Sequence, residues 1–283
     1  MRQLIPLLLA FVCAADVASA QSPDGRLKQI SETRVVRIAH RSDAKPFSFL
    51  NPQGEPDGYT VDLCKSVVGS LEQQLGAKLK IAWVPVDTQT RFDAIASGLA
   101  DMECGASTVS LGRMQKVDFS SFIFMENTGL VVRIDSGIFS VNDMSGKKIA
   151  VIAGTTNEAA LAKELQRRHL QTEMVHVKDR REGMAALESG AVDSFASDKL
   201  LLLEAPNANA STYRMLPENL SVEPYAIALP RGDWAFRNAV NRGLSQVYSS
   251  SQILDIYLKW FAALGGHPDL LRAAVYVFGT LPE

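Results

Sequence analysis

Apolar residues recur with two different periods along the first hundred residues of the chain. Residues 34–39 and 78–84 are short apolar or alternating stretches of the kind that form strands. Between them, residues 59–75 carry apolar side chains three and four positions apart, which predicts a helix. The pattern then predicts a helix over residues 88–97, capped by its first threonine, and a strand at 102–104. The order strand, helix, strand, helix, strand is typical of a parallel α/β unit.

The same alternation restarts in the second half, after predicted strands at 119–124 and 128–134. In chain order the pattern then predicts strand 148–153, helix 155–168, strand 173–177, helix 181–189, strand 192–196, helix 198–205, loop 206–212, strand 225–229 and helices 234–249 and 252–261. The apolar tail at 268–278 predicts a further helix that docks on the rest, and the polar residues 21–33 predict a loose lead-in.

No Gly- or Pro-rich linker separates the two α/β units. This favours a domain inserted into another by two strand crossings, near 125–128 and near 223–225. Ligands of open α/β sheets bind beyond the carboxyl ends of the strands, so these ends are where we expect a site.

The N-terminus has the pattern of a secretory signal. Arg2 precedes the apolar run 4–12, and the small residues Ala18-Ser19-Ala20 follow it. We expect cleavage after Ala20 and an exported, periplasmic protein. The apolar run is too short to span a bilayer.

Composition narrows the function only slightly. The 283 residues are 47% hydrophobic and carry a formal net charge of −2, which fits one large or two medium domains and leaves no basic surface for nucleic acid. Removal of the signal leaves Cys64 and Cys104. An oxidising compartment permits a disulfide between them, and the alternative is two small buried apolar side chains.

Catalytic and metal-binding patterns are absent from the sequence. It has no Walker loop, no Gly-x-Gly-x-x-Gly, no Gly-x-Ser-x-Gly and no His-Glu-x-x-His, and its four histidines lack the spacing of metal ligands. We expect neither a cofactor nor a metal ion.

The small-residue loop Gly105–Thr108 follows a predicted strand, and Arg113 comes five residues later. Small residues let a ligand approach the backbone closely, and a guanidinium suits a carboxylate. The stretch therefore looks like one half of a carboxylate clamp. The alternative is an ordinary polar loop with a surface arginine.

Other cationic and hydroxyl side chains also fall at predicted strand ends, with Asp198 as the lone acid: Arg41, Thr88, Arg91, Thr155, Thr156 and Arg180. Thr155 and Thr156 begin a predicted helix, where free N–H groups favour an anion. The alternative for Thr155, and also for Asp198, is a plain helix cap.

Taken together, a set of short motifs resembles the periplasmic solute-binding proteins of ABC importers, in particular those that bind polar amino acids such as glutamate and aspartate. The resemblance covers about residues 34–262 and rests on His40-Arg41, Pro46-Phe47, Gly58-Tyr59, Asp62-Leu63, Thr88-Gln89-Thr90-Arg91-Phe92, Glu103-Cys104-Gly105, Arg113, Val117-Asp118-Phe119-Ser120, Gly154-Thr155-Thr156, Leu187-Glu188-Ser189-Gly190, Asp198, Tyr225, Pro230-Arg231-Gly232-Asp233 and Tyr257-Leu258-Lys259-Trp260-Phe261.

The resemblance implies an α/β clamshell of the type II periplasmic-binding class, with two lobes joined by two hinge strands. It implies a first lobe from residues 21–125 and 226–283 and a second lobe from residues 126–225. It also implies that a disulfide here joins Cys64 to Cys104, because the family's later cysteine corresponds to Ile227.

The resemblance assigns the ligand's α-carboxylate to Arg113, with help from Thr108 and Thr155, and its α-ammonium to Asp198. Arg41, Thr88 and Arg91 would face the ligand's side chain, and Arg180 would reach over from the second lobe. Ala106 and Arg180 depart from the family's serine and histidine. Four arginines against one aspartate would leave the pocket positive and favour an acidic L-amino acid.

The resemblance further implies a monomer that hands its ligand to an inner-membrane ABC permease without altering it. Two alternatives remain. One is an exported dehydratase of the same fold acting on a cyclic amino acid, for which Glu103 and Glu126 are the acids to inspect. The other is a sensor domain that presents its ligand to a receptor.

Overall fold

The computed structural model describes residues 24–204, 210–264 and 267–282. The expected signal segment 1–20, residue 205 of the expected helix 198–205 and residues 206–209 of the expected loop 206–212 lie outside the described residues. Within them the helices are α1 (Gly25–Thr33), α2 (Tyr59–Leu75), α3 (Arg91–Ala96), α4 (Thr156–Arg167), α5 (Arg180–Glu188), α6 (Lys199–Leu203), α7 (Trp234–Tyr248), α8 (Gln252–Phe261) and α9 (Leu270–Gly279).

The strands of the described residues are β1 (Val35–His40), β2 (Asp43–Ala44), β3 (Ser48–Leu50), β4 (Pro56–Asp57), β5 (Lys80–Pro85), β6 (Met102–Glu103), β7 (Asp118–Arg133), β8 (Lys148–Ile152), β9 (Glu173–Val177), β10 (Ser194–Asp198), β11 (Tyr213–Met215) and β12 (Ser221–Leu229). The main sheet has the order β5-β1-β6-β12-β7-β10-β8-β9, with β11 beside β7. Strands β2, β3 and β4 form a small separate sheet.

Each half of the main sheet contains a parallel group of strands. In the first half β1 pairs in parallel with β5 and β6, and in the second half β8 pairs in parallel with β9 and β10. These are the two α/β units that the alternating pattern predicted. The fold is a type II clamshell, as expected.

Two long strands connect the halves. β7 and β12 pair antiparallel from Thr128 opposite Ser221 to Asp118 opposite Leu229. The prediction of separate strands at 119–124 and 128–134 was wrong, because the polar residues between them continue the pairing with β12. The lobe boundaries at 125/126 and 225/226 stay a prediction, since both strands run unbroken through them.

The apolar faces form separate cores on the two sides. The largest cluster includes Phe47, Phe124 and Phe236 in the first half, and two smaller clusters lie around Ile149 and Phe195 in the second half. Separate cores give each half its own rigidity, so the pair of connecting strands is the natural place for bending.

The two cysteines of the described chain are bonded. Cys64 of α2 and Cys104, just after β6, form a disulfide with a Cα–Cα distance of 6.4 Å. Both lie fully buried in the first-half core. The bond ties the helix to the strand end from which the small-residue loop departs.

Two local predictions were wrong. The lead-in 21–33 is helical from Gly25, because Ile30 is buried in the first-half core and the Arg26 N–H donates to Asp233 across 2.7 Å. Thr88 does not cap a helix. α3 begins only at Arg91, and the Asp87 carboxylate accepts the N–H groups of the turn before it.

The apolar tail forms α9, as predicted. Tyr276 is buried and its hydroxyl lies 2.9 Å from that of Tyr59, while Arg272 Nε donates to the Met125 carbonyl of β7. The tail therefore docks beside a connecting strand. Across the described ranges, no helix combines the length and apolarity that crossing a membrane requires.

Candidate functional site

A cavity lies between the two halves of the molecule. Its lining comes from strand ends, loops and helix starts of both: Thr88, Arg91, Ala106, Thr108, Arg113, Thr155, Thr156, Asn157, Arg180 and Asp198. Eight of the nine residues predicted from the sequence are among these. The ninth, Arg41, is not. The carboxyl ends of parallel strands meet here, as the topology predicted.

The small-residue loop and Arg113 form one wall. Arg113 opens a short 3-10 helix, Arg113–Gln115, and its Nη1 donates to the Thr108 carbonyl across 2.7 Å. Burial lowers the pKa of Arg113. Close packing explains the glycine at 105, since a Cβ there would collide with the Glu103 carboxylate. A carboxylate entering the cavity would meet the Arg113 guanidinium beside accessible loop backbone.

Arg91 is the least compensated cation of the cavity. It is 4% exposed, its Nε has no hydrogen-bond partner among the described residues, and its guanidinium lies 4.7 Å from the Phe92 ring centroid. Burial, together with the charges of Arg41 and Arg113, lowers its pKa to about 9. A buried cation of this kind favours an anionic partner.

Arg41 lies behind the cavity rather than in its lining, and its assignment to the ligand's side chain stays a prediction. It is 1% exposed, and its Nη2 contacts the Asp43 carboxylate at 2.5 and 2.7 Å. Arg180, from the opposite half, reaches the same carboxylate at 3.1 Å. The sequence-based count of four arginines and one aspartate therefore left out the negative charge of Asp43.

The second half contributes hydroxyl, amide and carboxylate groups. Thr155 caps α4, since its hydroxyl accepts from the Glu158 N–H and donates to the Ile152 carbonyl. Its side chain is thus committed to the helix cap, although the residue lines the cavity. The Thr156 hydroxyl instead donates to Glu223 across 2.6 Å and lies 3.4 Å from that of Thr108.

Asp198 ends β10 with its carboxylate in the cavity wall. It is 6% exposed, and Asn157 Nδ2 donates to it across 3.0 Å. Burial and, after it, the charge of Glu223 raise the pKa of Asp198, while Arg180 opposes the rise. An ammonium group beside Asp198 would supply the missing counter-charge.

The two acids considered for an enzyme do not line the cavity. Burial raises the pKa of Glu103, with Arg91 as the main opposing charge. Burial also raises the pKa of Glu126 to about 8. Among residues 24–204, 210–264 and 267–282, no cluster of His, Cys, Asp or Glu has the arrangement of a metal site.

The structure adds three residues to the assigned site set, of which Asp43 and Asn157 emerge only from the structure and Thr156 was already a candidate. Thr156 stood beside Thr155 in the helix-start pattern and was a candidate without an assigned role. Asp43 follows Arg41 by two positions, a spacing that puts side chains on one side of an extended chain. Asn157 had no sequence signal beyond its place in the first turn of α4.

Contacts across the cleft hold the two halves close together. Besides Arg180 on Asp43, the Gln89 amide donates to the Ala153 carbonyl across 2.9 Å, and Lys45 pairs with Glu204 at 2.7 Å. The described conformation is therefore a closed one.

Comparisons with known proteins agree with this architecture. The family model for bacterial extracellular solute-binding proteins, family 3, matches residues 36–263. An L-glutamate/L-aspartate-binding protein of Pseudomonas aeruginosa is 32% identical over 92% of this chain and 88% of its own length. A glutamine-binding protein of Bacillus subtilis is 26% identical over 86% of this chain and 87% of its own.

A solved structure has the same fold. The crystal structure of an ancestral amino acid-binding protein, described as a precursor of cyclohexadienyl dehydratase, superposes with a TM-score of 0.72. It is 27% identical and covers 84% of this chain and 100% of its own.

Proposed function

Because this chain belongs to the bacterial extracellular solute-binding proteins of family 3, we propose that it captures an acidic L-amino acid, glutamate or aspartate, between its two halves. The observation that carries the proposal is one cavity with three guanidinium groups, Arg91, Arg113 and Arg180, and the Asp198 carboxylate in its wall. A dicarboxylic amino acid has the complementary set of two carboxylates and one ammonium.

The ligand's charges match the cavity in one orientation. Arg113 and the neighbouring Thr108 bind the α-carboxylate, Asp198 binds the α-ammonium, and Arg91 with Thr88 faces the side-chain carboxylate. Glutamine in this place would leave the Arg91 guanidinium unpaired. An unpaired buried charge costs about 1–3 kcal/mol or more, which is about fivefold or more in affinity.

The chain is a binding protein rather than an enzyme, in keeping with its relatives, which are binding proteins of transporters. We further propose that it works in the periplasm as a monomer, after cleavage following Ala20, and delivers its ligand to an ABC permease. The proposed lobes, residues 21–125 with 226–283 and residues 126–225, would open to release it.

The test is a calorimetric screen of the mature, ligand-free protein against the twenty amino acids and small dicarboxylates. L-Glutamate or L-aspartate should bind most tightly. Arg113→Met should weaken that binding by roughly a hundredfold or more, because two charge-assisted hydrogen bonds are lost. Arg231→Met removes an exposed arginine outside the cavity lining and is the control. Tighter binding of glutamine or arginine by the native protein would refute the proposal.

A further inference from the structure

Asp43 joins two arginines that come from opposite sides of the cleft. Its carboxylate contacts Arg41 Nη2 at 2.5 and 2.7 Å and Arg180 Nη1 at 3.1 Å. Arg180 Nη1 also lies 3.3 Å from the Asp43 backbone carbonyl, to which it donates. Asp43 belongs to β2 in the first half, whereas Arg180 begins α5 in the second. The contact with Arg180 thus depends on closure of the cleft.

Burial makes this cluster electrostatically important. Arg41 is 1% exposed and Arg180 is 6% exposed, and Arg180 lines the cavity while Arg41 lies behind it. Burial would raise the pKa of Asp43, but the charges of Arg41 and Arg180 lower it below its ordinary value. Asp43 is therefore ionised at neutral pH. The two cations and one anion leave a net charge of +1 beside the ligand, where the arginines alone would give +2.

We propose that Asp43 is a specificity-determining residue that competes with the ligand's side-chain carboxylate for the positive charge of Arg180 and of Arg41 behind it. This inference rests on the proposed function and adds Asp43 as the residue that adjusts the preference among ligands. A carboxylate of the chain already holds these two cations, so a ligand's side-chain carboxylate depends mainly on Arg91. Asp43 thus moderates the preference for an acid over its amide, and its ion pair with Arg180 also favours closure.

The experiment compares Kd values for L-glutamate and L-glutamine by calorimetry in the native protein, Asp43→Asn, Asp43→Ser and Asp57→Asn. Asp57 is a matched control, since its side chain is 26% exposed against 31% for Asp43 and it belongs to the same small sheet. It does not line the cavity, and its ion-pair partner, Lys259, is 3.8 Å away.

Both Asp43 variants should raise the glutamate-over-glutamine preference by about fivefold or more, because Arg41 and Arg180 then lack an internal anion. The preference is a ratio, so a general cost of losing the closure contact cancels from it. Small-angle scattering should show a larger ligand-free radius of gyration for both variants than for Asp57→Asn. An unchanged preference in folded Asp43 variants overturns the proposal.

Sodium acetate separates this inference from the proposed function. Acetate offers a carboxylate without an amino acid, and sodium chloride at equal ionic strength controls for screening. Acetate should stabilise the Asp43 variants against heat more than the native protein or Asp57→Asn. If acetate does so but glutamate and aspartate fail to bind the native protein, the proposed function is wrong and the competition stands. If glutamate binds but the Asp43 variants change neither the preference nor the acetate response, only the competition is wrong.

Discussion

Replacing Arg91 by methionine should stabilise the ligand-free protein while removing its response to acidic amino acids. The guanidinium is 4% exposed, and no carboxylate of the described residues forms an ion pair with it. Three other arginines, at positions 41, 113 and 180, oppose its charge, and the buried Glu103 offsets their effect only in part. The charged side chain of Arg91 therefore destabilises the ligand-free protein, and a bound anionic ligand would remove that cost.

The size of the effect follows from the pKa of Arg91, which falls from its ordinary value to about 9. At 1.36 kcal/mol for each pH unit, this corresponds to a cost on the order of 5 kcal/mol for the charged form in the folded state. Methionine fills similar space but loses the cation–π contact with Phe92, which contributes up to about 2 kcal/mol. The free energy of unfolding should therefore rise by about 3 kcal/mol.

The size of this cost depends on pH. The folded-state pKa of Arg91 lies below its ordinary value, so the cost is fully present below about pH 9 and disappears as pH rises from about 9 toward the ordinary pKa of an arginine. Measurements at pH 7 therefore see the whole effect.

The assay is urea unfolding at pH 7 after refolding under dialysis, which removes any amino acid that co-purifies. Arg231→Met, at an exposed position, is the control and should change the free energy of unfolding by no more than about 0.5 kcal/mol. Adding L-glutamate should raise the midpoint of the native protein and leave that of Arg91→Met in place. A destabilised, folded Arg91→Met beside an unchanged control would refute the claim that the charged form of Arg91 costs stability in the ligand-free protein.

Two more predictions concern buried groups away from the ligand. Burial raises the pKa of Glu126 to about 8, so the folded protein keeps a proton that the unfolded chain releases from about pH 4.5, and its stability falls as pH rises between these values. Glu126→Gln should gain stability over the native protein at pH 9 more than at pH 5, and equal differences at both pH values would contradict this. The Cys64–Cys104 bond closes a loop with a sequence separation of 40, so its reduction should lower the free energy of unfolding by about 4 kcal/mol. Finding two free thiols in denatured, unreduced protein from an oxidising compartment would show that the disulfide does not form.

The periodic patterns were sufficient for most helices and strands. The helix Tyr59–Leu75 was predicted at its observed bounds, because its apolar stripe faces one core along its whole length. The lead-in helix and the continuous strand β7 were missed. The lead-in and the link Glu126-Asn127 within β7 are polar, and only contact with distant parts, Asp233 for α1 and β12 for β7, makes them regular.

The candidate site, too, could be predicted only in part from the sequence. Strand ends carrying Arg91, Arg113 and Asp198 could be assigned to one edge from the sequence, because parallel strands bring their carboxyl ends together. The pairing of Arg41 with Asp43 is local in sequence, but only the tertiary structure brings Arg180 to the same carboxylate across the cleft. Residue types and periodicity determine which charged and polar groups the chain contains. The contact between Arg180 and Asp43 depends on a distance between segments far apart in sequence, and this distance exists only once the two halves close.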